Sequence, residues 1–264
     1  MISEPLILGH RGASAVAPEN TLAAFLRAID DDADGIEFDV RLSRDHVPIV
    51  IHDGSLKRTG LLDRLVCELT AVELKEVDVG AWFLAVGQTS PAYAGEKLPT
   101  LAQVFDLFST NNRLLYIEMK CDAQEGAALA AEVAKLSRAS RMSDRIVVES
   151  FDLSAIAEVK RLDAGIRTAA LFEPRLSRPI STVRRLKMID LALAVGADEI
   201  ALHHTLAGPR MVEKAKQAGL EVVVWTVDDP EWILRARALG IKALIANNPA
   251  TMVHHRDICQ NHLP

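Results

Sequence analysis

The sequence predicts a (β/α)8 TIM barrel with an insertion after the second strand. Strand-like apolar runs alternate with helix-period segments along nearly the whole chain, and the strands number eight. Charged and polar residues gather at the carboxyl ends of those strands, where barrels place their sites. A length of 264 residues suits one barrel domain over 1–264. A doubly wound open sheet is the competing arrangement, and the lack of a GxGxxG fingerprint after the first strand weighs against it.

The first strand, LILGH at 6–10, ends abruptly in His10 and Arg11. A loop of small residues follows, and Pro18, Glu19, Asn20 and Thr21 open a helix over 20–30 that Asn20 or Thr21 caps. The second barrel position is a hairpin, GIEFDVRL at 35–42 with a return PIVIH at 48–52. Then the alternation breaks. Residues 54–99 form a long connection, punctuated by Gly80, Gly87, Pro91 and Gly95, with one plausible helix at 71–77. A connection of this length inside a compact fold is functional or a subdomain of its own, and it is read here as an insertion over the barrel mouth. Its Trp82, Phe83 and Tyr93 either pack onto the barrel or face a ligand.

From there the units are regular. Thr100 opens a helix over 100–108 after a proline, and strands at 114–120, 145–150, 167–172, 199–204, 220–227 and 241–246 alternate with helices at 125–138, 153–162, 181–194, 208–218, 230–239 and 249–259.

Composition excludes several classes. The chain is 49% hydrophobic and 25% charged, with no apolar run long enough for stable membrane insertion. A formal net charge of −6 disfavours a nucleic-acid partner, so an anionic ligand must be held by a local cationic cluster or a metal. Cys67, Cys121 and Cys259 are odd in number and widely spaced, which suits free thiols in a reducing compartment. The opening MISEPLILGHRG lacks the charge and apolar length of a signal peptide, so the expected location is cytoplasmic. Oligomeric state leaves no trace in the sequence.

The chemistry is concentrated in a few side chains. Glu37 and Asp39 stand two apart on a strand, so both point to one face, away from Ile36, Phe38 and Val40. Glu118, with Lys120 two residues on, repeats the pattern on the next barrel strand. Carboxylates sent inward together are costly unless a cation joins them, and an all-oxygen set suits one divalent cation, Mg²⁺ or Ca²⁺. Ion pairs with Arg11, Arg41 or Lys120 are the simpler alternative. His52, trailed by Asp53, ends the hairpin beside the strand that ends in His10. Two histidines near a metal and an arginine suit phosphodiester cleavage, since one imidazole can accept a proton and the other can donate one to the leaving alkoxide. Arg11 would clamp the phosphate, and the small residues from Gly12 to Ala15 would keep the loop from crowding it. Glu149 and Trp225, at two further strand ends, could bind a substrate hydroxyl and wall an alcohol moiety; His203 and His204 are weaker candidates.

Together GHRGASAVAPENT, EFDVRLSRDHVPIVIHD, LKRT, LPTLAQVF, YIEMK and VVVWTVD resemble the glycerophosphodiester phosphodiesterases, almost end to end. The resemblance implies a TIM barrel that hydrolyses glycerophosphodiesters to glycerol 3-phosphate and an alcohol with one bound divalent cation. Position by position it implies catalysis at His10 and His52, phosphate binding at Arg11, metal ligation at Glu37, Asp39 and Glu118, a lysine near the phosphate at Lys120 and an aromatic residue near the glycerol at Trp225. The last strand, IKALIANNP, departs from the family pattern at Lys242, Ala243 and Ala246. The apolar RTGLLDRLVCEL of the insertion departs too, which keeps a lysophospholipase D-type substrate open beside a non-catalytic phosphoester-binding barrel. The nucleophile, water or a substrate hydroxyl, is also open.

Overall fold

The computed structural model describes residues 4–84, 92–121, 124–174 and 182–261. In chain order the first half comprises β1 (Leu6–His10), α1 (Leu22–Asp30), β2 (Gly35–Leu42), β3 (Pro48–Val50), α2 (Ala71–Leu74), α3 (Leu101–Phe108), β4 (Leu114–Met119) and α4 (Gly126–Ala139). The second half comprises β5 (Ile146–Ser150), α5 (Leu153–Leu162), β6 (Arg167–Phe172), α6 (Thr182–Ala194), β7 (Glu199–His203), α7 (Pro209–Gln217), β8 (Glu221–Trp225), α8 (Glu231–Leu239), β9 (Ala243–Ala246) and α9 (Pro249–Asn261). β1 pairs in parallel with both β2 and β9, so the ring of parallel strands closes. β3 lies outside the ring, antiparallel to β2, and leads into the insertion.

The strands at 6–10, 35–42 and 167–172 form as the pattern indicates, and the others fall one to three residues short. The return strand stops at Val50, so His52 sits in a bend; the Ile51 N–H still donates to the Asp39 carbonyl at 3.0 Å, which keeps the bend beside β2. Thr21, rather than Asn20, caps α1, its hydroxyl accepting from the Ala24 N–H at 3.2 Å. Thr100 caps α3 in a reciprocal box with Gln103. Of the helix expected over 181–194, Ser181 lies outside the described residues.

Side-chain alternation sorts the core into layers. Ile36, Phe38 and Val40 turn outward to meet Phe25 of α1 and Phe105 and Phe108 of α3, part of the large core between strands and helices. Leu8, Tyr116, Val147, Ala169, Ala201 and Val223 turn inward and fill the barrel. A third cluster, including Leu56, Val66, Leu74, Val77 and Leu98, gives the insertion its own apolar centre.

At the amino-terminal end of the barrel, Glu199 is 0% exposed. It accepts from Tyr116 Oη at 2.8 Å, Arg167 Nη2 at 2.9 Å and Lys242 Nζ at 2.7 Å, while Glu221 pairs with the same two cations. Lys242, a departure from the family pattern, is therefore a partner of this buried carboxylate. Glu199→Ala removes the acceptor of three donors and is expected to cost about 3–5 kcal/mol, the usual scale for breaking a buried charge cluster. Urea denaturation reads the cost; a loss under about 1 kcal/mol would show that Glu221 holds both cations without it.

Candidate active site

Strand register assembles the site. His10 of β1 lies opposite Glu37 of β2, Asp39 lies opposite Glu118 of β4, and Glu118 lies opposite Glu149 of β5. The alternation that sends Tyr116 inward sends Glu37, Asp39, Glu118 and Glu149 inward as well. Oxygens of Glu37, Asp39 and Glu118 lie within 4.8 Å of one another, and all three residues are buried.

The segments after β1 hold this cluster from above. Arg11 adopts a left-handed backbone (φ 54°), which aims its N–H at Glu37 Oε2, 3.2 Å away. Its guanidinium lies between two carboxylates, Nε 3.2 Å from Asp39 Oδ2 and Nη1 donating to Glu19 Oε1 at 2.8 Å. Asn20, also left-handed (φ 59°), clamps Asp39 at two points. Its Nδ2 donates to Asp39 Oδ2 at 2.8 Å, and its Oδ1 accepts the Asp39 N–H at 3.2 Å. Lys120 Nζ reaches Glu118 Oε1 at 2.7 Å and Asp39 Oδ1 at 3.3 Å. Arg41 pairs with none of the clustered carboxylates. It donates to the backbone carbonyls of His52 (2.7 Å) and Lys120 (3.3 Å) and ties those two loops together.

Each histidine is held by its Nδ1. For His10 the partner is Asn247 Oδ1 at 2.7 Å, and Asn247 Nδ2 donates to Asp228 Oδ2 at 2.7 Å, which fixes the amide orientation. The His10 proton therefore sits on Nδ1, and Nε2, 3.8 Å from Glu37 Oε2, keeps its lone pair. His52 Nδ1 lies 2.6 Å from Asp53 Oδ1, which assigns the same tautomer.

Burial dominates the electrostatics. Burial, with Asp39 and Glu118 alongside, pushes Glu37 well above the usual carboxylate range. Burial and Asp39 push Glu118 up to about 8 despite Lys120 beside it, and burial with Glu37 and Glu118 raises Glu149. Asp39 goes the other way: burial opposes its charge, but Lys120 and Arg11 outweigh burial and hold it at about 2. Burial and Arg11 lower His10 to about 4. Burial also lowers His52, with Lys120 and Arg11 working against the pull of Asp39 and Asp53. Both imidazoles are thus neutral near pH 7.

Full ionisation of four buried carboxylates against Arg11 and Lys120 would leave two negative charges without a partner. Glu37, Asp39 and Glu118 fit a bound cation on this ground: three buried oxygen donors, close together and short of positive charge, suit a hard divalent ion.

His10, Arg11, Glu37, His52, Glu118 and Lys120 form the polar wall of a pocket of about 110 Å³ that Phe151, Leu171, Trp225 and Ile245 close on the apolar side. Glu149 lines it too, and its Oε2 is buried without a hydrogen-bond partner. Trp225 stands edge-on to Phe151 (5.6 Å) and to His203 (5.3 Å). His203 and His204 stack on each other off the pocket wall. In the insertion, Phe83 stands edge to face with both Trp82 and Tyr93, and Tyr93 Oη donates to the Val16 carbonyl, so these rings pack rather than face the pocket. Small size after Arg11 serves packing as well: a Cβ on Gly12 (φ 83°) would lie 2.6 Å from the Ala24 backbone of α1.

Several neighbours escape a reading of the sequence. Asn20 looked like a cap, and Asn247 and Glu19 carry no motif chemistry of their own. Phe151 and Glu173, each one residue past a strand end, were reachable from their position.

The sequence model of the glycerophosphoryl diester phosphodiesterase family matches residues 10–251. A glycerophosphodiester phosphodiesterase of Caldanaerobacter subterraneus subsp. tengcongensis is 30% identical over 249 residues, covering 94% of this chain and 96% of that one. Among solved structures, an Oleispira antarctica phosphodiesterase in complex with the product sn-glycerol-3-phosphate is similar with a TM-score of 0.84 at 25% identity, covering 96% of this chain and 97% of that one. A glycerophosphodiester phosphodiesterase from Agrobacterium tumefaciens is similar with a TM-score of 0.76 at 26% identity, covering 95% and 99%.

The raised carboxyls set a pH dependence of stability. In folded, metal-free protein they keep protons that the unfolded chain has already released, so stability falls as pH rises toward the folded Glu118 value of about 8. The lowered histidines add stability with rising pH, but that gain is complete by about the unfolded histidine value of 6.5. With a chelator present, Glu118 alone is expected to lower the unfolding free energy by about 1–2 kcal/mol between about pH 6.5 and 8, with Glu37 and Glu149 adding to the fall, and a saturating divalent cation is expected to remove the decline. Chemical denaturation at three pH values tests this; a rise over that interval in chelator would contradict the assignment.

Proposed function

The chain belongs to the glycerophosphoryl diester phosphodiesterase family and is a phosphodiesterase that hydrolyses glycerophosphodiesters to glycerol 3-phosphate and an alcohol, and we propose that His10 and His52 are its proton-transfer pair. The observation that carries this is the matched setting of the two rings. Each is neutral, each has Nδ1 engaged by an acceptor, and each lines the pocket built from the carboxylates and Arg11. Nε2 is then the working atom on both rings. One imidazole accepts the proton of the attacking hydroxyl, and the other, once protonated, gives its proton to the leaving alkoxide.

Glu37, Asp39 and Glu118 would hold one divalent cation, Mg²⁺ or Ca²⁺. When bound, that cation offsets charge on the phosphoryl oxygens. Arg11 would orient the phosphate, its guanidinium kept in place by Glu19 and Asp39. Lys120, held by Glu118 and Asp39, would add a positive charge beside the phosphate. Glu149, with an unpartnered buried oxygen, accepts from a substrate hydroxyl, and Trp225 with Phe151 walls the carbon skeleton and excludes water. The nucleophile is water or a substrate hydroxyl that first gives a cyclic phosphate; phosphorus NMR during turnover distinguishes the routes.

A lysophospholipid substrate has one supporting observation. Leu61, Leu62 and Leu65 of the insertion are 64%, 44% and 46% exposed, a surface that could take an acyl chain. Among the described residues no helix is long and apolar enough to cross a membrane. A non-catalytic binding barrel has less support, because binding alone gives no reason for two histidines with fixed Nδ1 partners.

Replacing His10 or His52 by Ala is expected to lower kcat on the order of 10²-fold or more with the fold retained, measured with glycerophosphocholine in Mg²⁺ or Ca²⁺. Full activity in either variant, or activity that survives thorough chelation, would sink the scheme. Glycerophosphocholine is expected to be cleaved faster than lysophosphatidylcholine; the reverse order would establish the lysophospholipase D-type reading.

A further inference from the structure

We propose that Arg58, contributed by the insertion, is a positioning residue that holds His52 and Arg11 in place through one carboxylate each. This rests on the roles proposed above for those two residues. Arg58 Nε donates to Asp53 Oδ2 at 2.7 Å, and the other oxygen of Asp53 lies 2.6 Å from His52 Nδ1. Arg58 Nη1 and Nη2 donate to the two oxygens of Glu19 at 2.7 and 2.8 Å, and Glu19 Oε1 also accepts from Arg11 Nη1 at 2.8 Å. One planar guanidinium thus spans two chains of contact, one ending at a proton-transfer ring and one at the phosphate clamp.

The geometry needs an arginine. Three N–H groups in a fixed fork meet two carboxylates, whereas an ammonium is a point charge that cannot satisfy both in the same way. His52 needs such support because it sits in a bend beyond β3, partly exposed, where Ile51 and Arg41 hold the backbone but not the ring. Both carboxylates are kept ionised. The Arg58 hydrogen bond holds Asp53 at about 2, and Arg58 with Arg11 lowers Glu19 against the effect of burial.

Arg58 is in turn fixed by the insertion. Leu56 and Thr59 on either side are buried, and its guanidinium lies over the Trp82 ring at 5.8 Å. It stands outside the pocket wall. The apolar centre of the insertion therefore bears on catalysis through this side chain.

Steady-state kinetics of the full-length, metal-supplemented enzyme with glycerophosphocholine tests the proposal in four backgrounds. Arg58→Met is expected to lower kcat about 10–100-fold, the scale of charge-assisted hydrogen bonds, and to raise KM about tenfold. In an Asp53→Ala background the same change should raise KM while leaving kcat within about twofold; in a Glu19→Ala background it should lower kcat while leaving KM within about twofold. With both carboxylates replaced, it should do neither. A loss of folded protein would instead lower kcat alone by one factor in every background. Equal factors in all four backgrounds, or a wild-type Arg58→Lys, would overturn the proposal. Arg58→Lys also serves if Arg58→Met does not fold, with an expected kcat loss of about fivefold or more. His52→Ala is measured alongside: full activity there overturns the role of His52 itself, whereas a low kcat there with no background dependence of Arg58→Met overturns the positioning role alone.

Discussion

The site depends on one constraint, the burial of like charges in register. Glu37, Asp39, Glu118 and Glu149 come from three adjacent strands and face the same dry interior. In a low-dielectric setting such a set cannot stay fully ionised without compensation. Protons on the raised members, the cations of Arg11 and Lys120, and a divalent ion are the available sources. Asp39 stays charged because Arg11, Lys120 and Asn20 all converge on it. The tight turn after β1 and the Glu19 and Asn20 pair exist, in this sense, to bring donors onto one carboxylate.

Around that cluster lie two brackets of different origin. The His10 bracket belongs to the barrel, running from the end of β9 through Asn247 to Asp228 in the loop after β8. The His52 bracket joins the barrel to the insertion, through Asp53, Arg58 and Glu19. Neither histidine relies on its own strand alone for orientation. That division would give the insertion a mechanical role, and its separate apolar centre supplies the rigidity the role needs.

The barrel interior is charged at both ends and apolar between them. Glu199, Arg167, Lys242 and Tyr116 close the amino-terminal end with mutually satisfied partners, while Val147, Ala169, Ala201 and Val223 fill the middle. The carboxyl-terminal end carries the imbalance of charge. A satisfied network contributes to stability, and an unsatisfied one is poised to take a ligand.

Much of the site was legible in the chain because it obeys short-range rules. The parity of Glu37 and Asp39, the position of Glu118 and Lys120, and the placing of His10, Arg11 and Trp225 at strand ends follow from a period of two and from barrel geometry. Asn20, Asn247, Arg41 and Arg58 were not legible in the same way. Each is an ordinary polar residue with at least one partner well separated along the chain, from 19 positions for Asn20 and Asp39 to 237 for Asn247 and His10. By itself the sequence determined the strand and helix alternation, the inward carboxylates and the kinds of side chain at the pocket, since local periodicity and residue chemistry decide these. Only the tertiary structure decided which polar group holds which, because hydrogen-bond partners are chosen by strand register and loop docking, and no local pattern encodes either.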